Sequence, residues 1–246
     1  MALGLSSTLS KTGFTNPVAG IVTDSLVLKH NYAAGGVSPV SDGACLFTGA
    51  GTEDRMTITE TVFNVDGAAY TFAFWAKRNA TGVDTCVLGH TSTKNSKYIR
   101  FSSSNTLLVE DDGGSNTATI TPHTTDTGWH LYAITITGSG ATIVAYQDGV
   151  LCTDSGDVSG DNLTINMIGA QGTGGAENEF NGYLCNIGIW EEVLTQPQVK
   201  SIMWKSYSDL TSTETDNLIH WWALDEGTGT TATDSKGGNT ATFTTS

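Results

Sequence analysis

The feature that most constrains this chain is a hydrophobic alternation of period two, repeated in short segments along its length. In Tyr70–Lys77 (YTFAFWAK), Tyr70, Phe72 and Phe74 share one face while Thr71, Ala73 and Trp75 share the other. His130–Thr137 (HLYAITIT) alternates Tyr132, Ile134 and Ile136 against Leu131, Ala133 and Thr135. Ala141–Gln147 and Val150–Thr153 flank Asp148-Gly149, a pair that accepts the positive φ of a tight hairpin turn. Further strands are expected at Ser25–Asn31, Ala44–Phe47, Arg55–Thr59, Cys86–Gly89, Tyr98–Ser102, Thr106–Glu110, Ala118–Thr121, Leu163–Ile168, Tyr183–Trp190 and Leu218–Leu224. Turns recur every 8–12 residues or so, the spacing of a sandwich or jelly roll. One helix interrupts the strands, over about 196–206. There Thr195 and Gln198 fit a capping box, Pro197 sits in the first turn, and Val199, Ile202 and Met203 form an apolar stripe. The expected core between two sheets is Phe72, Phe74, Trp129, Ile134, Ile136, Ile189 and Trp190.

Charge narrows the function. Twenty-five acids against eleven bases give a net charge of -14 over 246 residues. Eleven dispersed Lys and Arg do not supply the clustered basic patch that nucleic acid requires, so direct nucleic-acid binding is excluded. No run approaches the roughly 18–20 apolar residues of a membrane-spanning helix. The start, MALGLSSTLSKTG, lacks the basic and apolar regions of a secretory signal. Cys45, Cys86, Cys152 and Cys185 therefore read as reduced thiols in strand-like, apolar contexts, with one or two disulfides as the alternative. Residues 1–24 mix Leu3, Leu5, Leu9, Phe14, Val18 and Ile21 with Ser, Thr and Gly in no regular period. They are expected to form an extended arm, either docking the protein on a partner or folding back over Trp221 or Trp222.

No hydrolytic signature is present: there is no GxSxG elbow, HExxH, Walker loop or dinucleotide fingerprint. His30, His90, His123, His130 and His220 are scattered without zinc-ligand spacing. Glu110-Asp111-Asp112 is contiguous, so neighbouring side chains point to opposite faces; Glu177-Asn178-Glu179 has i, i+2 spacing but lies among glycines. No catalytic residue is assigned. Calcium is the candidate cofactor, because hard cations take carboxylate, Asn and carbonyl oxygens from loops. Three loops offer them: Asp154, Asp157 and Asp161; Glu53-Asp54; and Asp225-Glu226 with Asp234. The bland alternative for each is an exposed turn. Asp54, Asp225 and Asp234 are the candidate metal ligands. Trp221 and Trp222 are adjacent in a strand and so face opposite sides; the outward one could stack on a sugar or be covered by a partner.

Several motifs, in order, resemble laminin-G-like domains of the concanavalin A-like class. They are Phe47-Thr-Gly with Glu53-Asp54-Arg-Met-Thr-Ile, Tyr70–Arg78, Gly128-Trp129-His130 with YAITI, Tyr146-Gln-Asp-Gly149, Phe180–Trp190, and Trp222-Ala-Leu-Asp-Glu-Gly227 with Asp234-Ser-Lys-Gly-Gly-Asn239. The resemblance covers about residues 25–246 and implies an all-β, two-sheet antiparallel jelly-roll sandwich used for glycan, protein or calcium-dependent adhesion, without catalysis. In this chain the last motif, which ordinarily opens such domains, comes last, so 208–246 is expected as a late closing strand and tail. Glu53-Asp54 and Leu184-Cys185-Asn186-Ile187 depart from the family's acidic positions. The N-terminal run and IVTDSLVLKHNYAAGGVSPVSDGACLF also resemble single-domain proteins of marine bacteriophages. That likeness implies a capsid decoration protein at the virion surface, assembled in the host cytoplasm. Its expected partners are the major capsid protein or other virion subunits, and copies of itself as a homo-oligomer. The alternative is a tail or fibre adhesin that binds host-surface glycans.

Overall fold

A computed structural model describes residues 43–49, 55–92, 96–114, 116–138, 140–158, 160–172 and 178–244. The arm expected at 1–24, the strand expected at Ser25–Asn31, and Asp54 lie outside these residues. The alternating segments become β1 (Cys45–Thr48), β2 (Met56–Phe63), β3 (Tyr70–Arg78), β4 (Thr85–Gly89), β5 (Tyr98–Phe101), β6 (Leu107–Glu110), β7 (Thr117–Thr121) and β8 (Trp129–Ile136). They continue as β9 (Ile143–Gln147), β10 (Val150–Leu151), β11 (Thr153–Ser155), β12 (Leu163–Ile168) and β13 (Asn181–Trp190). After α1 (Gln196–Ile202) and the short α2 (Ser212–Thr215) come β14 (Leu218–Trp222), β15 (Thr231–Ala232) and β16 (Ala241–Phe243). They form a two-sheet antiparallel jelly-roll sandwich.

The seven-stranded sheet runs β1-β13-β3-β8-β9-β10, with β14 also paired to β13. β1 takes Asn181–Leu184 and β14 takes Ile187–Trp190, so the two lie end to end along one edge of β13. The nine-stranded sheet runs β11-β7-β6-β5-β4-β12-β2-β16-β15. The late segment therefore closes both sheets, β14 one and β15–β16 the other, where the sequence suggested one closing strand. Asp148 (φ 52°) and Gly149 (φ 72°) make the turn between β9 and β10. The strand expected over Val150–Thr153 breaks at Cys152: β10 stays with β9, and β11 crosses to pair with β7.

Both faces of the seven-stranded sheet are buried in the middle. Tyr70, Phe72 and Phe74 enter the core between the sheets with Tyr132, Ile134 and Ile136. Ala73 and Trp75 on the opposite face pack with Leu131, Trp190 and the α1 residues Val199, Ile202 and Met203. Two expectations about the core are corrected here. Trp190 is fully buried but lies under α1, because its neighbour Ile189 already faces the inner core and adjacent strand residues alternate. Trp129 is only half-buried and sits on the same outer face, in phase with Leu131 and Ala133.

A bulge in β13 sets this phase. Cys185 pairs with Trp75 but Gly188 with Ala73, so three steps on β13 oppose two on β3. Asn186 absorbs the extra residue at φ 48°, which lets Leu184 and Ile187 both face the inner core. Gly188 then leaves room for the edge-on pair of Trp190 and Trp221, whose ring centroids are 6.1 Å apart. A Cβ there would lie 2.6 Å from the Trp190 ring.

The expected helix ends early, at Ile202. Its start is as expected: the Thr195 amide and hydroxyl donate to the Gln198 side-chain oxygen at 2.8 and 2.6 Å. Beyond it, Ser206 with Asp209 and Thr211 with Glu214 cap two new short turns, which redirect the chain toward β14. No disulfide joins the four cysteines; Cys86, Cys152 and Cys185 are buried. Burial pushes the Cys152 thiol up to about 11. Among the described residues no helix is long and apolar enough to cross a membrane.

Candidate functional site

The acidic side chains nominated by the sequence are mostly occupied in holding the fold. Asp234 is buried behind β14. Its Oδ1 accepts the amides of Trp221 (2.9 Å), Lys236 (3.1 Å) and Gly237 (2.9 Å). Its Oδ2 meets His220 Nδ1 (2.7 Å) and accepts the Asn239 amide (3.0 Å). Burial pushes this carboxyl up, but the hydrogen bonds from His220 and the backbone outweigh it and hold it well below the usual carboxylate range. Asp234, a candidate calcium ligand, thus has both carboxylate oxygens engaged within the fold. Five N–H groups surround it, four from the backbone and one from the His220 ring. Asp225 is exposed at the start of the following loop, and Asp54 lies outside the described residues. Among the described residues, no three His, Cys, Asp or Glu side chains are gathered as a metal would need.

Glu110, Asp111 and Asp112 are likewise spent. Glu110 accepts from Tyr98 Oη (3.1 Å) and from the Thr117 hydroxyl. Asp111 accepts the Gly114 amide at 2.9 Å and the Asn116 side chain at 3.3 Å. Asp112 takes the amide and hydroxyl of Thr164 at 2.7 and 2.6 Å. Glu60 meets His90 Nε2 at 2.7 Å. The Ser92 amide donates to Nδ1 of the same ring, so Nε2 carries the proton that Glu60 accepts. That hydrogen bond holds the Glu60 carboxyl below its ordinary value.

Neither Trp221 nor Trp222 offers a ring to a sugar. Trp222 is fully buried between the sheets, stacked on His220 at 5.0 Å, and donates its indole N–H to the Asn239 carbonyl (2.7 Å). Trp221 faces outward as expected, but Trp190 and Tyr207 cover it and leave it 3% exposed. The cover comes from the chain itself, from the end of β13 and from the short turn that follows α1.

A row of side chains within reach of solvent lies on the outer face of the seven-stranded sheet, beyond α1. Leu46 of β1 pairs with Tyr183 of β13, Tyr183 with Lys77 of β3, and Lys77 with Trp129 of β8. Directly paired residues share a face, so these four form one row across four strands about 4.8 Å apart. The Trp129 and Tyr183 rings meet at 6.2 Å and 49°, and Lys77 Nζ stands 5.7 Å from the Tyr183 ring centre. Leu46 is 46% exposed, and the other three are half-buried. One step along β3, Trp75 is buried beneath Trp204, at 5.3 Å between ring centres, and Trp204 itself is 53% exposed. The sequence reading passed over Lys77, Tyr183 and Trp204 as site residues. The register that aligns the first two is set by strand pairing, and no local pattern marks it.

Next to the row, His130 is clamped between two carboxylates. Its Nδ1 meets Asp148 Oδ2 at 2.6 Å, and its Nε2 meets Asp126 Oδ1 at 3.0 Å. The bond to Asp148 raises the His130 pKa; burial opposes it, and Asp126 adds to the rise. Separately, a cavity of about 280 Å³ opens at the sandwich edge, walled by Leu46, Met56, Leu224 and Phe243 and lipped by Glu226 and Thr228.

The family described as "Laminin_G_3: Concanavalin A-like lectin/glucanases superfamily" matches residues 50–200. No curated protein matches the chain. Among solved structures, one from Bacteroides ovatus ATCC 8483, described as a candidate carbohydrate binding protein, is similar at TM-score 0.59 and 17% identity. The similarity covers 81% of this chain and 57% of that one, so this chain spans little over half of that protein. The CBM40 of a Ruminococcus gnavus IT-sialidase is similar at TM-score 0.47 and 10% identity, over 67% of this chain and 98% of that one. A SAP-like pentraxin of Limulus polyphemus follows at TM-score 0.43 and 18% identity, over 60% of this chain and 80% of that one. At such identities the first likeness speaks for the fold.

Proposed function

The chain belongs to the concanavalin A-like lectin/glucanases superfamily, and from that premise we propose that it recognises carbohydrate without cleaving it. The observation that carries this reading is the condition of its carboxylates. Glycoside hydrolysis needs two carboxyl groups flanking one bond, roughly 5–10 Å apart, one to give a proton and one to attack or activate water. Here Glu110, Asp111, Asp112 and Asp234 are each engaged by two or more donors within the fold. Acids held this way act as structural anchors. The geometry of the outer sheet face, with aromatic rings open to solvent, suits binding.

The test is to incubate the whole chain with a panel of oligosaccharides and follow retention and new reducing ends together. Binding with the sugar recovered uncut supports the reading; release of reducing ends overturns it.

The finer reading places this module on a virion surface, docked to capsid subunits as a homo-oligomer, with a tail or fibre adhesin as its rival. It is supported by the N-terminal resemblance to marine bacteriophage proteins. A protein census of purified particles decides it. Fixed stoichiometry with the major capsid protein supports decoration, a few copies per particle the adhesin, and absence from particles overturns both.

A further inference from the structure

We propose that the row Leu46–Tyr183–Lys77–Trp129 is a saccharide-binding shelf, and that its ligand is a carboxylate-bearing pyranose, a uronic-acid glycan. The proposal rests on the carbohydrate-recognition reading and adds the site and the ligand class.

The shelf is built by register. Four strands deliver one outward residue each to a single line, and α1 roofs the same face only farther along, over Trp75 and Ala73. Where that roof ends, two aromatic rings remain half-open to water beside a 46% exposed leucine. The rings incline at 49° to one another with centres 6.2 Å apart, so they form a corner. A pyranose has one face of axial C–H bonds, apolar enough to lie on such a ring, while its hydroxyls point sideways toward donors. The corner is one ring wide, which suits one sugar residue.

Lys77 selects the charge. Its ammonium stands against the Tyr183 ring and has no carboxylate partner among the described residues. Two other lysines of this chain of net charge -14 are paired with acids, Lys205 with Glu214 at 2.6 Å and Lys97 with Asp112 at 3.6 Å, which leaves neither of them open to an anionic ligand. The distant acids are screened beyond about 8–10 Å at ordinary salt, so the local cation governs what the shelf attracts. A uronate ring stacked in the corner brings its carboxylate to the same edge as its hydroxyls, where one Lys pairs with it.

The experiment titrates the whole chain with oligogalacturonate and oligoalginate, and with the methyl-esterified form of each, which keeps the ring and removes the charge. The expected result is binding of the acidic forms, weakened about tenfold or more by esterification and by Trp129→Ala, as when an aromatic anchor is truncated. Lys77→Gln should erase the preference for the acid over its ester while keeping residual binding of both. As a readout independent of variant folding, the Trp129 indole N–H resonance should shift on titration of the wild-type protein. Equal binding of acid and ester, an unchanged preference in Lys77→Gln, or a silent Trp129 resonance during binding overturns the shelf. Binding of neutral glycans alone also overturns it and leaves the recognition reading standing. If no saccharide binds, both fall.

Discussion

Replacing Asp234 by Asn preserves shape and removes charge, and the consequence can be worked out bond by bond. The wild-type carboxylate accepts from four backbone amides and meets one imidazole nitrogen. Hydrogen bonds to a charged group contribute about 1.5–3 kcal/mol against about 0.5–1.5 for neutral ones. The three bonds at Oδ1 therefore weaken by about 1 kcal/mol each, less where the Lys236 and Gly237 amides can reach water. At Oδ2 the substitution sets an NH₂ group against the Asn239 amide, a donor facing a donor, which costs about 1–3 kcal/mol more. Such terms do not add fully, and the expected loss is about 3–5 kcal/mol. In a chain of this size that lowers the melting temperature by about 10 °C. Calorimetry and urea titration read it directly. Because the folded-state pKa is depressed, the stabilisation is present above the unfolded value near 3.8 and fades as pH falls below it. The gap between wild type and variant should narrow on acidification. It should also be the same with calcium or with chelator, since the role assigned is to hold amides. A melting temperature within about 2 °C of wild type, or a deficit that appears only with calcium present, refutes the anchor.

Three further outcomes follow from the packing and the ion pairs. Phe74→Ala, truncating a fully buried ring stacked on Tyr132, should cost about 3–5 kcal/mol in denaturant unfolding; Trp129→Ala, on the open face, should cost less than half as much. Gly188→Ala should destabilise by about 1–3 kcal/mol, because its Cβ meets the Trp190 and Trp221 rings; an unchanged midpoint would show that those rings can step aside. His130 has a raised pKa, so its stabilising contribution is full below about 6.5 and is lost as pH rises through the folded value. Melting temperature should therefore fall as pH rises above about 6.5, and His130→Asn should flatten that profile.

The strands were legible because burial of one face writes its period into the sequence, and the Asp148-Gly149 turn because positive φ leaves few residue choices. Burial of both faces was less legible. Thr71, Ala73 and Trp75 read as the opposite face of β3, but only the tertiary structure shows α1 roofing Ala73 and Trp75, and Thr71 held by the Glu192–Leu194 segment before it. The bulge at Asn186 was not legible, since a single extra residue leaves no periodic mark and shifts everything after it. Trp129 was misplaced although the alternation already put it in phase with Leu131; its size suggested the core, and phase proved the better guide. β15 and β16 are two and three residues long, too short to carry a pattern. The candidate site was hardest of all. Leu46, Lys77, Trp129 and Tyr183 are far apart in sequence and meet only through the pairing of four strands. Trp221 and Trp222, conspicuous as neighbours, turned out to be structural.

Recognition of a sugar without chemistry is tested by calorimetric titration of the whole chain with acidic and neutral oligosaccharides in turn, followed by mass analysis of each recovered ligand. Saturable binding at one site per chain is expected, with the oligosaccharide recovered at its original length. No heat of binding from any of them, or a ligand recovered shortened, contradicts it.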